Sequence, residues 1–178
     1  LSAMGLEAKS FKGHLLFEPW TVQTKLGGFY KVYTPLWKAV RGREVPEPLP
    51  APTRIPGPET YPSSEALGAW GLGRAMQRGA AIVAGHARVG ADLAQERLAE
   101  FTRGALRHYG EGRDIPGEDG TSKLAENLAL GEITPAQCWH AGQAELNRGN
   151  PGAEIFLKEL VWREFAYHLL HHTPQILT

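Results

Sequence analysis

The sequence predicts a mainly α-helical protein, helical throughout its second half. After Gly90 the apolar residues recur at helical spacing and nothing reads as a strand. From 153 to 173 there is neither Gly nor Pro, so one long helix can run unbroken. A dense set of prolines (Pro46, Pro48, Pro50, Pro52, Pro56, Pro58 and Pro62) separates this half from a shorter first segment. Such a run disfavours regular structure and reads as an extended linker.

Composition narrows the function classes. The 178 residues are 42% hydrophobic, enough for a packed core. Lys plus Arg and Asp plus Glu both number 19, so net charge excludes bulk attraction to nucleic acid, and any such contact must be local. Seven histidines leave room for added positive charge at low pH. Cys138 is the one cysteine, so no internal disulfide forms, and a reducing, cytoplasmic location is expected. No signal peptide and no membrane-length apolar run is visible. The chain starts at Leu1 rather than Met, which reads as a fragment or a processed start.

In order along the chain, His14-Leu-Leu-Phe17 is expected as a short strand and Gly27-Gly28 as a turn. Thr34 caps a helix with Pro35 at its first position, running to about Val40 and stopped by Gly42. Residues 44–62 form the linker. Ser64-Glu-Ala-Leu67 can open a short helix, and Ala80–Ala84 is a small apolar run. Gly71-Leu-Gly73 lacks the third glycine and preceding strand of a dinucleotide fingerprint. Leu93, Leu98, Phe101 and Leu106 form one stripe of a helix ended by Gly110. A polar loop spans 112–120. A helix from about Ser122 to Leu130 ends at Gly131. Thr134-Pro-Ala-Gln137 is a capping box that starts another helix, ended by Gly149-Asn-Pro-Gly152. The last helix follows, closed by Thr173-Pro174.

Two constellations in this order carry chemistry. In the last helix Glu159, Trp162 and Arg163 share neighbouring turns of one side among apolar residues. They read either as an internal Glu–Arg pair beside a core Trp, or as the lining of a pocket. At Gly120-Thr121-Ser122-Lys123-Leu124, two hydroxyls at a helix start suit a phosphate, or serve as an N-cap. His168, His171 and His172 share helical spacing but lack further ligands, and read as polar residues of the helix end. No metal site is expected. Cys138 and His140 do not face each other, so Cys138 reads as a packed thiol. Lys31, Lys38, Arg41 and Arg43 read as a solvated surface.

Four ordered segments resemble the DNA photolyase/cryptochrome family: Tyr109 with Arg113-Asp-Ile-Pro116, Gly120–Leu124, Leu130-Gly-Glu-Ile-Thr-Pro-Ala-Gln137, and Lys158-Glu-Leu-Val-Trp-Arg-Glu-Phe165 with His168–Pro174. Leu16–Trp20 and Gly28–Trp37 resemble the end of the family's α/β antenna domain. The likeness is to a bacterial class I cyclobutane pyrimidine dimer photolyase, of which the chain looks like an internal fragment. It implies a portion of the helical FAD-binding domain (90–178), preceded by the tail of the antenna domain (1–43) and a long interdomain connection (44–89).

By that resemblance Tyr109, Thr121, Ser122, Lys123, Leu124, Ala125, Phe156, Glu159 and Arg163 belong to the FAD site. Phe156 stands where many relatives have Trp. Ala125 replaces the family's serine, which removes one hydroxyl worth about 0.5–1.5 kcal/mol net. Glu159 and Trp162 are the catalytic pair, one bonding and the other stacking on a flipped pyrimidine dimer. Arg113 and Arg163 join them on the nucleic-acid side. The implied activity is light-driven electron transfer from reduced FAD that splits dimers in DNA. A second antenna chromophore, folate or deazaflavin, belongs to the full-length parent, with damaged DNA as partner, no membrane contact and a monomeric state. The alternatives are a cryptochrome-type blue-light sensor and an inactive truncated fragment.

Overall fold

The computed structural model describes residues 2–9 and 11–177, and every regular element among them is a helix. The described residues up to Pro48 and from Gly90 onward form one compact unit; residues 49–89 form a second.

In the first unit a turn at Lys25–Gly27 is closed by the Thr24 hydroxyl, which accepts from Gly28 N–H at 3.0 Å, with Gly27 at φ +80°. Helix α1 (Tyr33–Val40) buries Leu36 and Val40. It begins before Thr34, with extended Val32 as its cap, so Thr34 and Pro35 lie inside its first turn rather than at cap and first position. The 49–89 unit contains α2 (Arg78–Ala84) and, before it, a 3-10 turn at Leu67–Trp70, where a helix opening at Ser64 was expected. Its prolines leave 44–62 without helix or strand.

Helix α3 (Ala91–Arg103) stops at Gly104, short of the expected Gly110. A 3-10 turn (Ala105–His108) and the short α4 (Tyr109–Gly112) follow. The break lets Leu106 reach full burial and brings its carbonyl against Gly152, where an added Cβ would lie 1.7 Å away. Leu93 drops out of the stripe and is 40% exposed. Helix α5 (Ala125–Leu130) starts later than expected, because Lys123 sits at φ +52°, outside the helical region. Thr121 and Ser122 therefore do not cap it. Gly131, at φ +73°, ends it as expected. Helix α6 (Pro135–Asn147) opens on the full capping box: Gln137 N–H donates to the Thr134 hydroxyl, and the Gln137 side chain accepts from Thr134 N–H.

Helix α7 (Ala153–His172) is the spine of the unit. Its buried face (Phe156, Leu157, Leu160, Val161, Phe165) meets Phe101 and Tyr109 from the preceding elements, Cys138 and Trp139 from α6, and the N-terminal segment. Full burial of one such side chain stabilises by roughly 1.5–3 kcal/mol. The expected strand at His14–Phe17 is absent. The N–H groups of Leu16 and Phe17 donate instead to one oxygen of Glu164, at 2.7 and 3.1 Å, so α7 takes the place of a strand neighbour.

Candidate functional site

Glu159 and Trp162, one turn apart on α7, stand at its partly open edge. Glu159 pairs with Arg113, which follows α4, and both side chains keep about 30% of their surface in solvent. That carboxylate holds the Arg113 guanidinium above its ordinary pKa. Arg113 also lies over the Tyr109 ring at 5.5 Å and within 3.6 Å of Asp114. Trp162 is 45% exposed, so it is no core residue. Its indole lies parallel to Tyr33, with centroids 3.8 Å apart and planes 5° apart. The Tyr33 hydroxyl donates to the Lys158 carbonyl at 2.8 Å. Burial, with Glu159 nearby, pushes its pKa up to about 12, so it remains a donor near neutrality.

Glu159 and Arg163 do not pair with each other, although four residues apart. Arg163 donates to the His14 carbonyl at 2.9 Å and to Glu164 at 3.0 Å, and lies over the Tyr167 ring. The helix thus sorts its charges: Glu159 toward α4, Arg163 toward the N-terminal segment. Phe156 is buried, with Phe101 at 5.1 Å and Tyr109 at 6.1 Å between centroids. Burial also raises the Tyr109 pKa, opposed by Arg113.

In the 120–125 segment Thr121, Lys123 and Ala125 are exposed, Ser122 half-buried and Leu124 buried. Arg97 of α3, itself buried, donates to the Lys123 carbonyl and the Glu126 carboxylate at 2.6 Å each, and to Asn127 at 3.0 Å. These bonds hold the loop in its left-handed turn. Lys123 pairs with Asp119 at 2.6 Å. An exposed hydroxyl, a half-buried one and an ammonium paired with Asp119 are donor types that a pyrophosphate takes, so the residues fit such a group in chemistry.

Sequence reasoning missed three residues. Arg97 sits on a helix face that otherwise buries Ala94, Leu98 and Phe101. Glu164 is 4% exposed, and burial pushes its pKa up to about 7 against the pull of Phe17 N–H and Arg163. His168 is not a polar helix-end residue: it is buried and accepts from Tyr30 N–H at 3.1 Å. Burial, with His172 and His171 close by, brings its pKa down to about 4. In the sequence the signal was a charged or imidazole side chain within an apolar helical run. Cys138 is the packed thiol expected, fully buried with its pKa raised to about 12. Among the described residues no cluster of three or more His, Cys, Asp or Glu is placed to hold a metal, and no helix is long and apolar enough to cross a membrane.

Comparison with known proteins shows what the chain is similar to. The family model for DNA photolyase matches residues 1–53. A deoxyribodipyrimidine photo-lyase of Agrobacterium fabrum is 43% identical over 175 residues, covering 97% of this chain and 36% of that protein. Residues 1–53 thus match the DNA photolyase family, and the chain as a whole is similar to one stretch of longer photolyases. A second photolyase, from Synechococcus, is 32% identical over 99% of the chain and 38% of its own length. A solved bacterial class III photolyase from Agrobacterium tumefaciens superposes with a TM-score of 0.82 at 40% identity, over 98% of this chain and 36% of that one. The chain thus spans little more than a third of the length of these relatives. The expectation named class I; the solved relative is a class III enzyme.

Proposed function

We propose that residues 90–178 form one wall of the site of a deoxyribodipyrimidine photo-lyase, and that 1–43 and 44–89 are the tail of its antenna domain and the interdomain connection. The observation that carries this reading is the Arg113–Glu159–Trp162 edge: a cation, a carboxylate and a half-exposed indole side by side. Those groups suit an extruded pyrimidine dimer in DNA. A lesion must leave the base stack to be reached. The Trp162 face replaces lost stacking, worth about 1–3 kcal/mol per base. Glu159 offers a carboxyl group to the pyrimidine edge, and Arg113 offers charge to a neighbouring phosphate.

FAD is the cofactor in this reading, and reduced FAD supplies the electron that splits the dimer under blue light. Thr121, Ser122 and Lys123 hold its pyrophosphate on the loop anchored by Arg97, with Leu124 and Ala125 beside them. Tyr109, Phe156 and Arg163 complete this wall. A protein of full family length carries a second, light-harvesting chromophore, a folate or a deazaflavin, and works as a cytoplasmic monomer.

The test uses the product of the complete reading frame that encodes this chain. Purified with reduced FAD, it removes dimers from DNA under blue light and not in the dark. Trp162→Ala weakens binding to dimer-containing DNA and spares flavin content. Light-responsive flavin without dimer loss would assign the protein to the cryptochrome-type sensors instead.

A further inference from the structure

Trp162 does not stand alone at the site edge. One face of its indole is covered by Tyr33, at 3.8 Å and 5° from parallel. Tyr33 is the first residue of α1, in the N-terminal segment, 129 positions away in sequence (162 − 33). Its hydroxyl bond to the Lys158 carbonyl fixes it to the same α7 turn that carries Trp162. Phe165 closes the group edge-on, 6.0 Å from Tyr33 and 5.8 Å from Trp162. One turn further along α1, Trp37 lies against Lys158, whose ammonium is 5.8 Å from the ring. Tyr33 stacks on one face and Phe165 meets the ring edge-on, and 45% of Trp162 remains exposed.

We propose that Tyr33 is a positioning residue for lesion binding: it backs the Trp162 indole so that a single, pre-set face is offered to an extruded pyrimidine dimer. The inference rests on the dimer-binding reading of Trp162 given above. An indole free to turn would lose rotamer freedom on stacking with the lesion. One held between an anchored phenol and Phe165 has already lost it. The fold thereby makes the N-terminal segment a contributor to lesion recognition, through ring contact rather than through DNA contact.

The experiment measures binding in the dark, where no repair occurs, by fluorescence anisotropy. The probe is an oligonucleotide carrying one thymine dimer, beside its undamaged counterpart, and the protein is the product of the complete reading frame. Tyr33→Leu is expected to weaken dimer binding about three- to tenfold and to leave undamaged DNA and flavin content unchanged. Tyr33→Phe keeps the ring but loses the hydroxyl anchor, and falls between the parent and Tyr33→Leu. Combined with Trp162→Ala, Tyr33→Leu adds nothing further, because the backing has no indole left to set. Tyr33→Met gives the same comparison if the leucine variant does not fold. The proposal is overturned if Tyr33→Leu or Tyr33→Met keeps parental dimer affinity while Trp162→Ala loses it. Equal losses on damaged and undamaged DNA, additive with Trp162→Ala, would also overturn it, marking Tyr33 as support for the fold alone. If Trp162→Ala itself leaves dimer affinity unchanged, the dimer-binding reading of Trp162 falls, and this inference with it.

Discussion

Glu164→Gln removes a titration without changing shape. In the parent chain burial raises the Glu164 pKa from 4.5 to about 7, even though Leu16 and Phe17 N–H groups and Arg163 favour the charged form. A raised carboxyl pKa means that the folded state favours the protonated form. Its contribution to stability is therefore fullest below pH 4.5, falls as pH rises through 4.5 to about 7, and is level above that. The difference of about 2.5 units, at 1.36 kcal/mol per unit, amounts to roughly 3 kcal/mol. His168, on the same helix, runs the other way: its lowered pKa gives stability present above pH 6.5 and lost as pH falls toward about 4. The parent's own pH profile mixes both slopes. The difference between parent and Glu164→Gln isolates Glu164. Urea unfolding of the 178-residue chain followed by far-UV circular dichroism, from about pH 4 to about pH 8, gives that difference. The glutamine variant is expected to gain roughly 3 kcal/mol on the parent across this range. A flat difference, or one in which glutamine loses ground as pH rises, would refute the burial argument.

Further outcomes follow from other contacts. His168→Phe leaves the half-buried Tyr30 N–H without its acceptor, so urea titration at neutral pH shows a loss of about 1 kcal/mol, with less acid sensitivity than the parent below pH 6.5. Gly152→Ala places a Cβ 1.7 Å from the Leu106 carbonyl, and thermal unfolding shows a loss of about 3 kcal/mol or more. Thr134→Ala removes the capping box of α6 and costs about 1 kcal/mol in the same assay. Arg113→Ala breaks a half-solvated pair, so stability falls by no more than about 1 kcal/mol. In the full reading-frame product it lowers DNA affinity on damaged and undamaged strands alike, and the salt dependence drops by about one phosphate contact.

What could be read from the sequence was local. The capping box at Thr134, the Gly131 stop and the uninterrupted run of α7 each depend on residues within a turn of one another, and each formed. What could not be read was the identity of distant partners. Glu159 and Arg163 have the spacing of an ion pair, yet each takes a partner from elsewhere: Arg113 for one, the His14 carbonyl with Glu164 for the other. The His14–Phe17 stretch has strand composition, but its N–H groups found a carboxylate nearly 150 residues away. Thr121 and Ser122 look like helix caps, yet the carbonyl that follows them is held by a buried arginine 26 residues earlier, in a left-handed turn no cap rule describes. The resemblance groups Arg113, Glu159, Trp162 and Arg163; in the structure Arg113 pairs with Glu159, while Arg163 turns to His14 and Glu164. Nothing in them points to Tyr33.

The clamp of Leu16 and Phe17 onto Glu164 also sets an order of events during synthesis. The two amides leave the ribosome some 148 residues before their acceptor does. At about 5–20 residues per second, that is a wait of roughly 7–30 seconds. Throughout it Phe17, Leu36 and Val40, all buried in the finished unit, have no α7 to pack against. A nascent chain stalled before Glu164 therefore exposes an apolar N-terminal segment, the kind of surface that chaperones engage and proteases test. Among the described residues α7 is also the last α-helix to be made.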